Sequence, residues 1–150
     1  MWATPETLAI MGVRYGEQAG HPVGYGESVV VGDVKATFVP AGHVLGSAQI
    51  LLEYAGERVV VSGDYKRRAD PTCALFEPVP CDIFITEATF GLPVFRHPAT
   101  QSEMQKLLDA LAAEPDRCVL VGAYALGKAQ RVIAELRAMG HDAPIYIHGA

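Results

Sequence analysis

The sequence predicts an α/β chain in two parts, with residues 1–92 mainly antiparallel strands and residues 93–150 alternating strands and helices. Three observations carry this reading. Two pairs of apolar runs are each interrupted by turn residues: Val29–Val31 and Val34–Val39 around Gly32-Asp33, then Gln49–Tyr54 and Arg58–Val61 around Ala55-Gly56-Glu57. Further on, Met104, Leu107, Leu108 and Leu111 recur at helical spacing, as do Ala129, Val132, Ile133, Leu136 and Met139. Between the two patterns lies a proline-containing loop, residues 91–98, in which Leu92-Pro93 marks the boundary.

Taken in order, Thr4-Pro5 reads as an N-cap followed by proline at the first helical position, with Leu8, Ile10 and Met11 behind it and Gly16 as the stop. Residues 17–26 are turn-rich loop. The two hairpins then make residues 28–62 a run of largely antiparallel strands, and Asp82–Thr86 adds a strand that ends at Glu87. Thr100-Gln101-Ser102-Glu103 has the form of a capping box ahead of the first late helix. Cys118–Val121 is a short apolar strand, the second amphipathic helix closes at Gly140, and Pro144–Ile147 is again strand-like. Strand, helix, strand, helix, strand predicts a parallel layer.

Composition narrows the class. Half of the 150 residues are apolar and 19% are charged, the balance of a folded globular chain. No apolar run is long enough to span a bilayer, and no charged-then-apolar leader follows Met1, so a soluble cytoplasmic protein without a membrane partner is expected. Cys73, Cys81 and Cys118 are odd in number and form no C-x-x-C pair, which favours reduced structural thiols over a zinc ribbon. A net charge of −5 argues against binding nucleic acid by bulk electrostatics and leaves room only for local cations.

The chemistry concentrates in Ala41-Gly42-His43-Val44-Leu45-Gly46-Ser47-Ala48 and Ser62-Gly63-Asp64-Tyr65. Each places a polar residue in a small-residue turn at the end of an apolar strand, where glycine permits a sharp turn and close approach. An imidazole and a carboxylate displayed this way suit a metal-hydroxide hydrolase, because the imidazole is a borderline-soft ligand and the carboxylate can bridge two ions. The plainer alternative is a loop histidine bonded to backbone and an ordinary Asx-turn aspartate.

Four ordered motifs decide between these. Gly42–Ala48, Ser62–Arg67, Ile85–Gly91 and Gly122–Gln130 together resemble the metallo-β-lactamase-fold nucleases of the β-CASP group. That group includes mRNA 3′-end processing nucleases, J-type ribonucleases and DNA-repair nucleases. The wording Gly63–Arg68 and Glu87–Pro98 looks most like the bacterial DNA ligase-associated exonucleases. The resemblance implies an αββα sandwich with an inserted β-CASP α/β domain, of which residues 1–92 would be part of the first and residues 93–150 the opening of the second. It implies His43 as a metal ligand and Asp64 as the carboxylate bridging two divalent ions, zinc or manganese. The ions would hold a shared hydroxide for in-line attack on phosphorus. Glu87 matches the first β-CASP acidic position, with the catalytic task of orienting a histidine by accepting its ring N–H; the alternative is a capping carboxylate. The partners implied are DNA or RNA, and an ATP-dependent DNA ligase and helicase.

The remaining candidates are open. Lys66-Arg67-Arg68 follows Asp64 and could meet phosphate, or be a solvated charge cluster at a strand exit. The Gly122–Gln130 segment could aim a helix N-terminus at a phosphate with help from Lys128, or be a glycine-assisted turn. His21 and His141 read as surface residues, His97 as an interdomain-loop residue that could touch substrate, and His148 matches none of the later family motifs. The family's His-x-His-x-Asp-His motif is absent from the sequence, although relatives carry it ahead of the segment matching Thr4-Pro5-Glu6-Thr7. The chain is therefore expected to be a fragment that holds metal poorly and is inactive alone. The competing expectation is a non-catalytic remnant or interaction module. A small-molecule thioesterase or lactamase is disfavoured by the α/β segment after Glu87.

Overall fold

The computed structural model describes residues 1–17 and 19–148; Gln18 of the expected 17–26 loop, with Gly149 and Ala150, lies outside them. The chain forms two compact units, one ending at Ala88 and the other starting at Thr89. The described residues form a mixed α/β structure with three helices.

In the first unit, β1 (Trp2–Ala3) leads into α1 (Pro5–Tyr15). Thr4 caps the helix as expected: its hydroxyl accepts the Thr7 N–H, Pro5 opens the first turn and Gly16 closes the last at φ 79°. The loop after α1 contains one short element the sequence concealed, β2 (His21–Pro22), paired in parallel with β1. Two residues cannot announce themselves by periodicity.

Five further strands make one sheet in the order β3-β4-β5-β6-β7, comprising β3 (Ser28–Val31), β4 (Val34–Pro40), β5 (Ala48–Tyr54), β6 (Glu57–Val61) and β7 (Ile83–Ile85). The first four form an antiparallel meander, with two-residue turns from β3 to β4 and from β5 to β6 and the longer 41–47 loop between β4 and β5. Val31 faces Val34 across Gly32-Asp33, and Tyr54 faces Glu57 across Ala55-Gly56. Glu57 therefore belongs to the strand rather than to the turn, because Ala55 (φ 49°) and Gly56 (φ 89°) alone supply the two left-handed residues a tight hairpin needs. β7 joins β6 in parallel, Val60 beside Phe84. The core of this unit includes Ala36, Phe38 and Val39 on β4, Leu51 on β5 and Val60 on β6, with Val23 and Ala41 from adjoining loops. Tyr65 sets its ring against Phe76 (centroids 5.2 Å) and Phe84 (6.1 Å), so the long connection from β6 to β7 packs back onto the sheet.

The second unit contains α2 (Thr100–Ala113) and α3 (Lys128–Ala138). Two expectations are corrected here. The capping box does not form: Ala99, not Thr100, is the N-cap, and no side chain caps it. The Thr100 hydroxyl instead accepts from Arg131 at 2.7 Å, tying α2 to α3. Cys118–Val121 and Pro144–Ile147 are not strands either. A strand exists by its ladder, and among the described residues nothing pairs with these runs. Leu120, Tyr146 and Ile147 stand exposed, so the apolar patterns lack the sheet that would make them strands. The helix closed by Gly140, at φ 85°, forms as predicted.

Candidate functional site

Strand direction brings three loops to one end of the five-stranded sheet. β4 runs toward that end and β5 starts from it, with Pro40 beside Ala48. β6, antiparallel to β5, finishes there with Val61 opposite Ile50, and β7 finishes beside it with Ile85 level with Val61. The His43 loop, Asp64 and Glu87 therefore leave the sheet on the same side. His43 Nε2 lies 3.6 Å from Asp64 Oδ2, and the two side chains are 43% and 70% exposed. That separation is too long for a strong hydrogen bond. It equals the span of two donors sharing one cation, with bonds of about 2 Å each, and the pair faces water.

The His43 loop is held rigidly although its histidine is open. Gly42 adopts φ 71° with its Cα so close to the Lys66 carbonyl that an added Cβ would lie 2.4 Å from that oxygen. Gly46, at φ 79°, is equally confined: a Cβ there would meet Thr4 Oγ1 and the Thr7 N at 2.8 Å. Glycine suits both positions because the backbone is left-handed and a neighbour stands where a Cβ would be. The Gly46 carbonyl accepts the Thr4 hydroxyl at 2.7 Å and the Thr7 hydroxyl at 3.1 Å. Ser47 Oγ accepts the backbone N–H of His43 and of Val44, both at 3.1 Å. The Ser47 carbonyl accepts the Tyr25 hydroxyl at 3.0 Å. Burial first, then the neighbouring Glu6 and Cys73, raises the Tyr25 pKa above its ordinary value. On the other flank, the Cys73 thiol donates to the Gly42 carbonyl at 3.4 Å and the Lys66 N–H to the Ala41 carbonyl at 3.0 Å.

Lys66 links the two halves of the site. Its ammonium donates to the His43 carbonyl at 3.3 Å and to the Asp70 carboxylate. The Asp70 side chain is only 3% exposed. Burial alone would push its carboxyl up, but hydrogen bonds from Lys66, the Thr72 hydroxyl (2.6 Å) and the Thr72 N–H (2.9 Å), with the Lys66 charge, outweigh it and hold the pKa below the usual value. The expected phosphate contact from Lys66 would have to compete with this buried partner.

The other expected residues are placed as follows. Glu87 is half-buried, and its carbonyl accepts the Thr86 hydroxyl at 2.8 Å. Arg67 is exposed. Lys128, in the second unit, lies over the Tyr124 ring at 4.9 Å. At the start of its helix Gln130 Oε1 accepts the Gly127 N–H at 2.8 Å, so one of the amides that could have met a phosphate is already satisfied. Sequence reasoning missed the framing residues Thr7, Tyr25, Ser47, Asp70 and Cys73. The small-residue run Gly46-Ser47-Ala48 hinted at a close approach, but not at what approaches.

As a metal site the pair is right in kind and short in number. Imidazole and carboxylate suit zinc or manganese, but zinc sites take three or four protein ligands. Among the described residues no group of three or more His, Cys, Asp or Glu side chains is placed to hold an ion. His43 and Asp64 could thus contribute two donors to a site whose other donors they do not supply. No helix of the described residues is long and apolar enough to cross a membrane.

No family model matches the chain. Many curated proteins are similar to it. Endoribonuclease YSH1 of Eremothecium gossypii is 36% identical over 115 residues, which is 74% of this chain and 15% of that protein. Cleavage and polyadenylation specificity factor 73 of Drosophila melanogaster is 31% identical over 115 residues, 71% of this chain and 17% of its own. An RNase J-like protein of Methanocaldococcus jannaschii is 29% identical over 135 residues, covering 84% of this chain and 32% of the relative. The chain therefore spans between 15% and 32% of the length of these relatives.

Proposed function

Because the chain belongs to the β-CASP group of metallo-β-lactamase-fold nucleases, we propose that it supplies part of the catalytic centre of a metal-dependent nuclease. His43 and Asp64 would be ligands and Asp64 the bridge between two divalent ions. The observation that carries this reading is the 3.6 Å approach of His43 Nε2 to Asp64 Oδ2 at an exposed sheet end. Bound there with further donors beyond His43 and Asp64, the ions would acidify water and neutralise charge developing on a phosphodiester.

The chain's own residues do the holding. The Thr4, Thr7 and Ser47 hydroxyls and the Lys66 ammonium fix the backbone of the His43 loop, so the imidazole is presented without a large entropic cost on binding. Glu87 would accept a ring N–H from a histidine outside this segment. Arg67 and Lys128 would meet phosphate. RNA is the favoured substrate, since two of the three relatives are named as ribonucleases. A DNA substrate, and with it a ligase and helicase as partners, rests on the motif wording of Gly63–Arg68 and Glu87–Pro98 alone. The αββα sandwich is proposed on the likeness to the β-CASP group, and a division at Leu92-Pro93 on the proline-containing loop 91–98.

The test joins this chain to the His-x-His-x-Asp-His segment and later motifs of a relative. RNA cleavage in Mn²⁺ or Zn²⁺ is expected, with Asp64→Ala abolishing it because loss of the bridge removes the two-ion geometry. Full turnover by Asp64→Ala at saturating RNA would refute the mechanism. The second reading, a non-catalytic module, is favoured by the lack of a three-donor group among the described residues. Failure of the joined protein both to retain metal through dialysis and to cleave RNA would select it.

A further inference from the structure

The second unit carries a feature that the metal reading does not use. Phe90, Leu92, Val94 and Phe95 crowd into one short loop, and all are exposed: Phe90 is 61% and Phe95 44% accessible. Exposed apolar side chains gathered this closely form a patch of the kind that marks an interaction site. The rings are ordered by one another. Phe90 meets Phe95 at 5.3 Å between centroids and 86° between planes, and meets His97 at 5.3 Å and 85°. Both neighbours stand nearly perpendicular to the Phe90 ring, and Phe90 remains more than half accessible beside them. The loop backbone is constrained as well, by the turn bond from the Phe95 N–H to the Leu92 carbonyl at 3.1 Å and by Pro93 and Pro98.

Charge says what the rings would meet. The chain as a whole carries −5, yet residues 88–102 contain no Asp or Glu. The cation there is Arg96, which is exposed and sits between Phe95 and His97 in sequence. Propped aromatic rings interleaved with a guanidinium and an imidazole, in an acid-free window of an acidic protein, match unstacked bases on a phosphate backbone. An apolar peptide would gain nothing from the charge arrangement.

We propose that the Phe90–Phe95–His97 cluster is a base-stacking platform for single-stranded RNA, with Arg96 contacting phosphate. The platform rests on the nuclease reading for its substrate, but it needs no metal. Phe90 and Phe95 are then positioning residues: they hold the strand and take no part in bond cleavage.

The test measures binding of a short labelled oligouridylate to the chain in EDTA, beside an abasic strand of equal length. The oligouridylate is expected to bind about tenfold tighter, the scale of one stacked base. Phe90→Leu should remove that advantage and leave abasic binding unchanged, whereas Phe90→Tyr, which keeps the ring, should retain it. Arg96→Gln should weaken both strands and flatten the salt dependence. Equal affinity for the two strands, or an oligouridylate affinity untouched by Phe90→Leu, overturns the proposal. So does a concentration-dependent dimer that Phe90→Leu dissociates while no oligonucleotide binds, since the patch would then serve self-association. The two readings fail separately. A joined protein that binds but does not cleave loses the nuclease reading alone; one that cleaves with an unchanged KM after Phe90→Leu loses the platform alone.

Discussion

Replacing Asp70 by alanine should be the most damaging single polar change in the first unit. The carboxylate is 3% exposed, takes the Lys66 ammonium and holds both the hydroxyl and the N–H of Thr72. Removing one partner of a buried pair costs roughly 3–5 kcal/mol, mostly from the charge left behind. Lys66 is 21% exposed, so its ammonium can turn partly to water, which places the expected loss near the low end, about 3 kcal/mol. For a folding unit of this size each kcal/mol shifts Tm by roughly 4–8 °C, giving a fall of about 12–24 °C. Thermal unfolding followed by circular dichroism measures it. The pH dependence gives a second reading. The folded pKa of Asp70 lies below its ordinary value, so its contribution is fully present above the usual carboxylate range and is lost as pH falls through the folded value. Wild-type stability should therefore decline in acid more steeply than that of Asp70→Asn. A Tm for Asp70→Ala within a degree or two of wild type, or equal acid slopes for Asp70→Asn and wild type, would show that the pair does not hold the loop.

Two further outcomes separate scaffold from chemistry. His43→Ala should leave the melting temperature within the change of about 0.5 kcal/mol usual for exposed sites, because the imidazole is open; in the joined protein the same change should lower metal retention, measured by elemental analysis after dialysis. Thr4→Val should cost about 1–2 kcal/mol in denaturant unfolding, since it removes both the N-cap of α1 and a donor to the Gly46 carbonyl.

What could be read in advance was local. Thr4-Pro5 and Gly16 bracket α1 because capping needs only residues near in sequence, and the two meander turns announce themselves through Gly32 and Gly56. The pairing of His43 with Asp64 was anticipated because both follow adjacent strands. The bonds that hold the loop were not: Thr4 reaches Gly46 across 42 residues, and Lys66 bonds Asp70, a partner that no local pattern announces. Thr100 had the sequence of a cap but spends its hydroxyl on Arg131, a partner 31 residues away. Cys118–Val121 and Pro144–Ile147 have strand composition without strand neighbours, and composition cannot supply a ladder.

The unlike connections within the sheet imply an order of assembly. β3 to β6 are joined by two-residue turns or by the 41–47 loop, so each strand finds its neighbour at little loop-closure cost. β7 must come back in parallel after residues 62–82, a longer closure that yields only three paired positions. β7 is therefore expected to be the last strand to dock and the first to let go, with the meander persisting without it. His43 belongs to the early-forming part, whereas Asp64 begins the connection that closes late. The two donors thus come from segments of unequal persistence, and an ion gripping both would fasten the slow-closing connection to the meander; amide exchange along β7 would register that fastening.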